Sequence, residues 1–263
     1  MRLFLVDAFT DTAFKGNPAA VCLLEDRVPD EWMQEVAAEL GLSETAFLLD
    51  DSLRWFTPGT EVTLCGHATL ATAHILYSTG AATGPVEFST ASGTLTVNRH
   101  PDGMITMDFP AKEVTPTAVP EGLEKALGAP AVRVGRSSLD LLVELDTEAT
   151  VRSLAPDITA LAAVEARGVI VTAAASPGSQ ADFVSRFFAP RVGVPEDPVT
   201  GSAHCALAPY WSARLGRASL TGAQLSARGG RVGVRLDGDR VHLAGHAVTI
   251  TSGTLNIHPP SNH

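Results

Sequence analysis

The chain has 263 residues, 45% of them hydrophobic and 18% charged, with a formal net charge of −10. That supplies apolar material for two domains of ordinary size, and the acidic balance argues against a nucleic-acid or anionic-membrane partner. Three cysteines are too few, and odd in number, for a disulfide framework, and the apolar run before Asp7 is too short for a signal segment or a membrane span, so a cytoplasmic protein is expected.

In chain order, "RLFLVDAF" is β-branched and aromatic and reads as a strand. "FKGNPAAVCLL" is a Gly-Asn-Pro loop entering a second strand. "PDEWMQEVAAELG" reads as a helix, with Asp30 as its candidate N-cap and Gly41 as its stop. "SETAFLL" and "LRWFT" read as strands, and "HATLATAHILYSTG" as a helix apolar on several faces, hence buried. "PVEFSTASGTLTVNRHPDGMITMDFP" gives three strands with turns at Ser92-Gly93 and Asp102-Gly103. The stretch 111–122, rich in Pro and Thr, is the candidate linker. Beyond it come strands "AVRVGRS" and "DLLVEL", a helix in "APDITALAAVEARG", and a strand in "VIVTAAAS". "DFVSRFFAPRVGVPEDPVTGSAHCALAPYWSARLG" follows, then closing hairpins with a strong turn at Asp237-Gly238.

The two halves share a pattern. "RWFTP…CGHATLA" resembles "RFFAP…TGSAHCALA": Arg, aromatic, Phe, a small residue and Pro, then a loop, a glycine and a small-residue helix start. A duplication would provide two helix N-termini whose unpaired N–H groups and partial positive charge suit a carboxylate. Gly66 and Gly201 would let those N–H groups approach a ligand closely.

The stretches "VDAFTDTAFKGNPAAVCLL", "LSETAFLL", "RWFTPGTEVTLCGHATLA" and "SRFFAPRVGVPEDPVTGSAHCALAPYW" resemble the PhzF family, the phenazine-biosynthesis isomerases and their relatives. The resemblance implies the diaminopimelate epimerase-like α+β fold, with two pseudo-symmetric domains, each a curved antiparallel sheet around a central helix. The domains are expected at 1–112 and 113–250, with 251–263 as a closing strand and tail that can pack on the first domain. It also implies a cofactor-independent isomerase that moves a proton on a small cyclic amino or hydroxy carboxylate, as in trans-2,3-dihydro-3-hydroxyanthranilate isomerisation from C3 to C1. A homodimer is implied too. By the same resemblance the catalytic residues are Glu44 of S-E-T-A-F, His67 of G-H-A and Asp197 of E-D-P, and the substrate-binding residues are Ser202, Gly66, Gly201 and Asn17.

Each of these residues also has a plainer reading. Glu44 could be a solvated carboxylate at a helix–strand junction, His67 a helix-cap or core histidine, Asp197 a turn cap, Ser202 an N-cap and Asn17 a turn residue. A carbon-to-carbon proton transfer needs one group that accepts a proton and returns it, and a carboxylate in a semi-dry pocket can do this. In the related racemases and epimerases two cysteines at duplicated helix starts serve as acid and base. Here Cys65 fits the first place but Thr200 the second, and a threonine hydroxyl is too weak an acid for the task. Cys65 therefore reads as a small buried residue. The histidines form no metal motif and no phosphate-loop pattern occurs; that neither metal nor organic cofactor is needed is what the family resemblance implies. The alternatives are an amino-acid racemase or epimerase, and a non-catalytic binding or scaffold relative.

Overall fold

β1 (Arg2–Ala8) and β2 (Asn17–Leu23) form an antiparallel hairpin in register from Arg2–Leu23 to Ala8–Asn17. The computed structural model describes residues 1–257 and 259. The loop closing the hairpin depends on Gly16, whose φ is 68° and whose added Cβ would stand 2.1 Å from the Ala8 carbonyl oxygen. α1 (Asp30–Leu40) ends at Gly41, φ 61°, and buries Trp32, Met33 and Val36 against Phe47 and Phe56. Asp30 is not its N-cap. Pro29 holds that place, and the Asp30 carboxylate instead accepts from Arg54 Nη1 at 2.6 Å.

β3 (Glu44–Leu49) returns parallel to β2, and β4 (Ser52–Phe56) pairs antiparallel with β3. β5 (Glu61–Val62) leads to α2 (Gly66–Ser78). Buried residues lie on every side of α2, from His67 to Tyr77, and it packs on β1, β2 and β3. The antiparallel strands β6 (Val86–Thr90), β7 (Gly93–Arg99) and β8 (Ile105–Pro110) follow.

The second half repeats this order. After β9 (Thr115–Pro116), which lies inside the stretch read as a linker, come α3 (Leu123–Leu127), β10 (Arg133–Arg136) and β11 (Asp140–Glu144). α4 (Glu148–Ser153) was not expected, and the helix expected over 155–168 is only α5 (Ile158–Ala162). Asp157 caps α5 by accepting from the Ala160 N–H. Then come β12 (Gly168–Ala174), β13 (Phe183–Ala189), β14 (Val194–Asp197) and α6 (Gly201–Leu215). β15 (Ser219–Gln224), β16 (Gly230–Asp237), β17 (Arg240–Gly245) and β18 (Ala247–Thr254) complete the chain, with Gly238 (φ 60°) turning β16 into β17.

The fold is α+β, in two compact units of like topology. One is Met1–Asp108 with the stretch beginning at Ala244; the other is Phe109–Leu243. The first unit recovers β18 because that strand pairs antiparallel with β1, from Arg2–Thr254 to Ala8–Ala247. Residues 258 and 260–263 of the tail expected at 251–263 lie outside the described residues.

Each sheet is mixed. Hairpins are antiparallel, but β2–β3 and β4–β6 in one unit, and β11–β12 and β13–β15 in the other, are parallel. The intervening helices carry the chain back to the same sheet end, as a parallel join requires. α2 and α6 occupy the equivalent place in each unit, α6 packing on β15 and β16. Among the described residues no helix is long and apolar enough to cross a membrane.

Candidate active site

In the first unit, Glu44 begins β3, His67 is the second residue of α2, and Asn17 begins β2. Because β2 and β3 are parallel and both pack under α2, their first residues arrive together at its N-terminus. Glu44 Oε2 and His67 Nε2 lie 3.1 Å apart. The ring N–H is not aligned on that oxygen, and both atoms are shut off from solvent without a hydrogen-bond partner. The Glu44 side chain is 20% exposed, so Oε1 is the oxygen open to a ligand. On the other side of the ring, His67 Nδ1 meets Asn17 Nδ2 at 3.3 Å and Cys65 Sγ at 3.6 Å.

Burial pulls the His67 imidazole down, but neighbouring negative charge outweighs it and holds the ring well above the usual histidine range. Glu44 supplies that charge, because burial and Glu44 together push the Cys65 thiol up and keep it protonated. Glu44, Cys65 and His67 place O, S and N atoms within 4.8 Å of one another, a span a divalent cation could bridge. Glu44 faces Nε2 of the ring and Cys65 faces Nδ1.

In the second unit, Asp197 ends β14 and Ser202 is the second residue of α6. Thr200 is the N-cap of α6, as Cys65 is of α2, and neither side chain caps its own helix. The Thr200 hydroxyl instead donates to Asp197 Oδ2. Buried Gln224 locks this turn. Its Oε1 accepts from the Thr200 N–H at 2.9 Å, and its Nε2 donates to the Asp197 carbonyl at 2.7 Å. Ser202 is not the N-cap; its Oγ accepts from Arg167 Nη2 at 3.0 Å. Arg167 also clamps the fully buried Asp140 in a two-toothed pair, Nε to Oδ1 at 2.8 Å and Nη2 to Oδ2 at 2.6 Å.

The candidate residues thus form two sets in different units: Asn17, Glu44, Gly66 and His67, and Asp197, Gly201 and Ser202. Sequence reading missed Gln224, Arg167 and Asp140. Arg167-Gly168 looked like a helix end, and Gln224 sits in a strand without a motif.

One buried histidine beside the second set is structural. His204 Nδ1 faces the Thr200 carbonyl at 2.8 Å and so carries the proton, while burial lowers the ring pKa to about 4. The unfolded chain therefore binds a proton below about pH 6.5 that folded His204 refuses. Stability should fall as pH drops from about 6.5 to about 4, by up to ~3 kcal/mol from this residue. Urea unfolding across that range checks it. His204→Gln should flatten the slope, and an unchanged slope would show that other groups cause it.

The PhzC-PhzF family profile, described as "Phenazine biosynthesis-like protein", matches residues 6–253. The chain belongs to this family. Among relatives of this PhzF-family chain, an uncharacterised isomerase of Pseudomonas aeruginosa is 52% identical over 257 residues, covering 96% of this chain and 97% of its own. The human phenazine biosynthesis-like domain-containing protein is 41% identical, covering 97% and 99%. The crystal structure of a PhzF-family protein from Enterococcus faecalis superposes with a TM-score of 0.91 at 40% identity, covering 97% and 99%. A probable proline racemase from Agrobacterium radiobacter, with bound carbonate, reaches a TM-score of 0.68 at 12% identity, covering 98% and 94%, and shares the fold.

Proposed function

We propose that this PhzF-family isomerase moves a proton between two carbons of a small cyclic amino or hydroxy carboxylate, with Glu44 as the group that takes and returns it. The observation that carries the reading is the Glu44–His67 pair: a carboxylate with one oxygen sealed against a buried imidazole and the other open. Glu44 breaks a substrate C–H bond and forms its own O–H bond, while the electron pair spreads into a conjugated enolate-like anion. Its O–H then breaks as the new C–H bond forms, so no redox partner is needed. His67, held charged by Glu44, stabilises the carboxylate between turnovers. On its Nδ1 side the ring packs against Cys65 Sγ and the Asn17 amide.

Binding roles fall to the second set. Ser202 and the unpaired N–H groups at the start of α6 suit a carboxylate, and Asp197 an amino group. The substrate class is that of trans-2,3-dihydro-3-hydroxyanthranilate. Incubating the protein in D2O with cyclic dihydro-hydroxy amino carboxylates and with free amino acids tests this by mass shift. Deuterium should enter the cyclic compounds and not the amino acids; the reverse pattern would overturn the reading.

An amino-acid racemase has one observation in its favour, the Cys65 thiol next to His67. It lacks the second acid, because Thr200 fills the matching place and spends its hydroxyl on Asp197.

A further inference from the structure

The second unit contains a guanidinium whose arrangement the proton-transfer reading leaves unexplained. Arg167 lies just before β12, and both oxygens of fully buried Asp140 hold its Nε–Nη2 edge. Gly168 makes room for this pair. A Cβ there would stand 2.4 Å from the Phe187 ring and 3.2 Å from Asp140 Oδ1. The Arg167 guanidinium also stands 5.6 Å from the centre of the Phe187 ring. Its orientation is thus fixed from both sides. Nη2 has a second hydrogen, and it points at Ser202 Oγ.

A guanidinium can only donate. Ser202 Oγ must therefore accept from Arg167, and the serine hydrogen must point elsewhere. Among the described residues that hydrogen has no acceptor. A serine at this place in a helix would otherwise be free to turn its hydrogen back onto the preceding backbone.

We propose that Arg167, anchored by Asp140, is a positioning residue for ligand binding: it holds Ser202 as an acceptor on one side so that the hydroxyl donates outward to a carboxylate. This deepens the reading of Ser202 as a carboxylate-binding residue and rests on it. The arrangement selects for an anion over an amide, because the serine hydrogen and the N–H groups at the start of α6 are all donors: both oxygens of a carboxylate can accept, whereas a carboxamide must turn its NH2 toward one of them.

The test uses two unreactive probes, anthranilate and 2-aminobenzamide, which share ring and amine and differ in carboxylate against carboxamide. Calorimetric titration of the wild-type protein should show a clear preference for anthranilate. Ser202→Ala and Arg167→Gln should each reduce that preference by about tenfold, the scale of one charge-assisted hydrogen bond. The double variant should lose no more than either alone, since the two act in series, and Arg167→Lys should recover part of the preference.

A merely structural arginine would weaken both probes together and leave their ratio at the wild-type value; that result in folded Arg167→Gln overturns the assignment. If Arg167→Gln does not fold, Asp140→Asn combined with Arg167→Gln removes the unpaired buried charge and is read the same way. A wild-type protein that binds neither probe, or does not distinguish them, overturns the carboxylate reading itself and this assignment with it.

Discussion

Glu44→Gln is expected to cost turnover, by at least the ~10²–10⁴-fold typical of removing a general acid–base. Glutamine keeps the shape of Glu44 and a hydrogen-bonding oxygen beside His67, but it cannot take up and return a proton. Probe binding should survive, because the donors proposed to hold the carboxylate belong to α6. Cys65→Ala should leave turnover within a few-fold, because the thiol is buried, held protonated and meets the His67 ring at the nitrogen far from Glu44. It should cost some stability through the void left behind. The readout is the rate at which solvent hydrogen enters substrate carbon. Near-normal exchange in Glu44→Gln with none in Cys65→Ala would reverse the assignment and favour a thiol-based racemase.

Gly16→Ala is expected to be the most damaging small substitution in the first unit. At φ 68° the left-handed backbone costs a side chain about 1–2 kcal/mol. The Cβ would also meet Ala8 O at 2.1 Å and the Thr10 methyl at 2.8 Å. Backbone cannot yield as a flexible side chain can, so overpacking adds roughly 1–3 kcal/mol. Chemical denaturation should show a loss of about 2–5 kcal/mol. Gly16 precedes Asn17, which touches His67, so the remaining folded protein should also turn over more slowly. Wild-type stability in this variant would mean that the β1–β2 loop relaxes freely and does not hold the site.

The fold was legible where local signals were strong. Alternating strands, Gly41 and Gly238 at positive φ, and the all-round apolar character of α2 each follow from periodicity or turn chemistry. The repeat "RWFTP…CGHA" and "RFFAP…TGSA" marked the equivalence of α2 and α6, and the structure places Cys65 and Thr200 at matching helix starts. Three features were hidden for physical reasons. The parallel joins and the return of β18 to β1 are long-range pairings that leave no local trace. α4 and α5 have six and five residues, too short for helical periodicity to show. Asp30 looked like a cap until Arg54, distant in sequence, claimed its carboxylate.

The site divides the same way. Motifs pointed to Glu44, His67, Asp197 and Ser202 as candidates, but not to the groups that contact Asp197 and Ser202. Gln224 reaches Thr200 and Asp197 from β15, and Arg167 reaches Ser202 from the start of β12. Their spacing along the chain is arbitrary, and only the folded sheet makes them neighbours.

The central claim is that one carboxylate both takes and returns the proton. Glu44 Oε2 is sealed against His67, so the proton is taken on the open oxygen Oε1, where its return to carbon competes with exchange into water. The direct measurement uses trans-2,3-dihydro-3-hydroxyanthranilate deuterated at C3, turned over in ordinary water, quenched early and read by NMR at C1. The account predicts that a measurable part of the C3 deuterium appears at C1. Ready conversion with hydrogen from water alone at C1, at every quench time, would contradict it and require two separate groups, one to remove the proton and one to supply it.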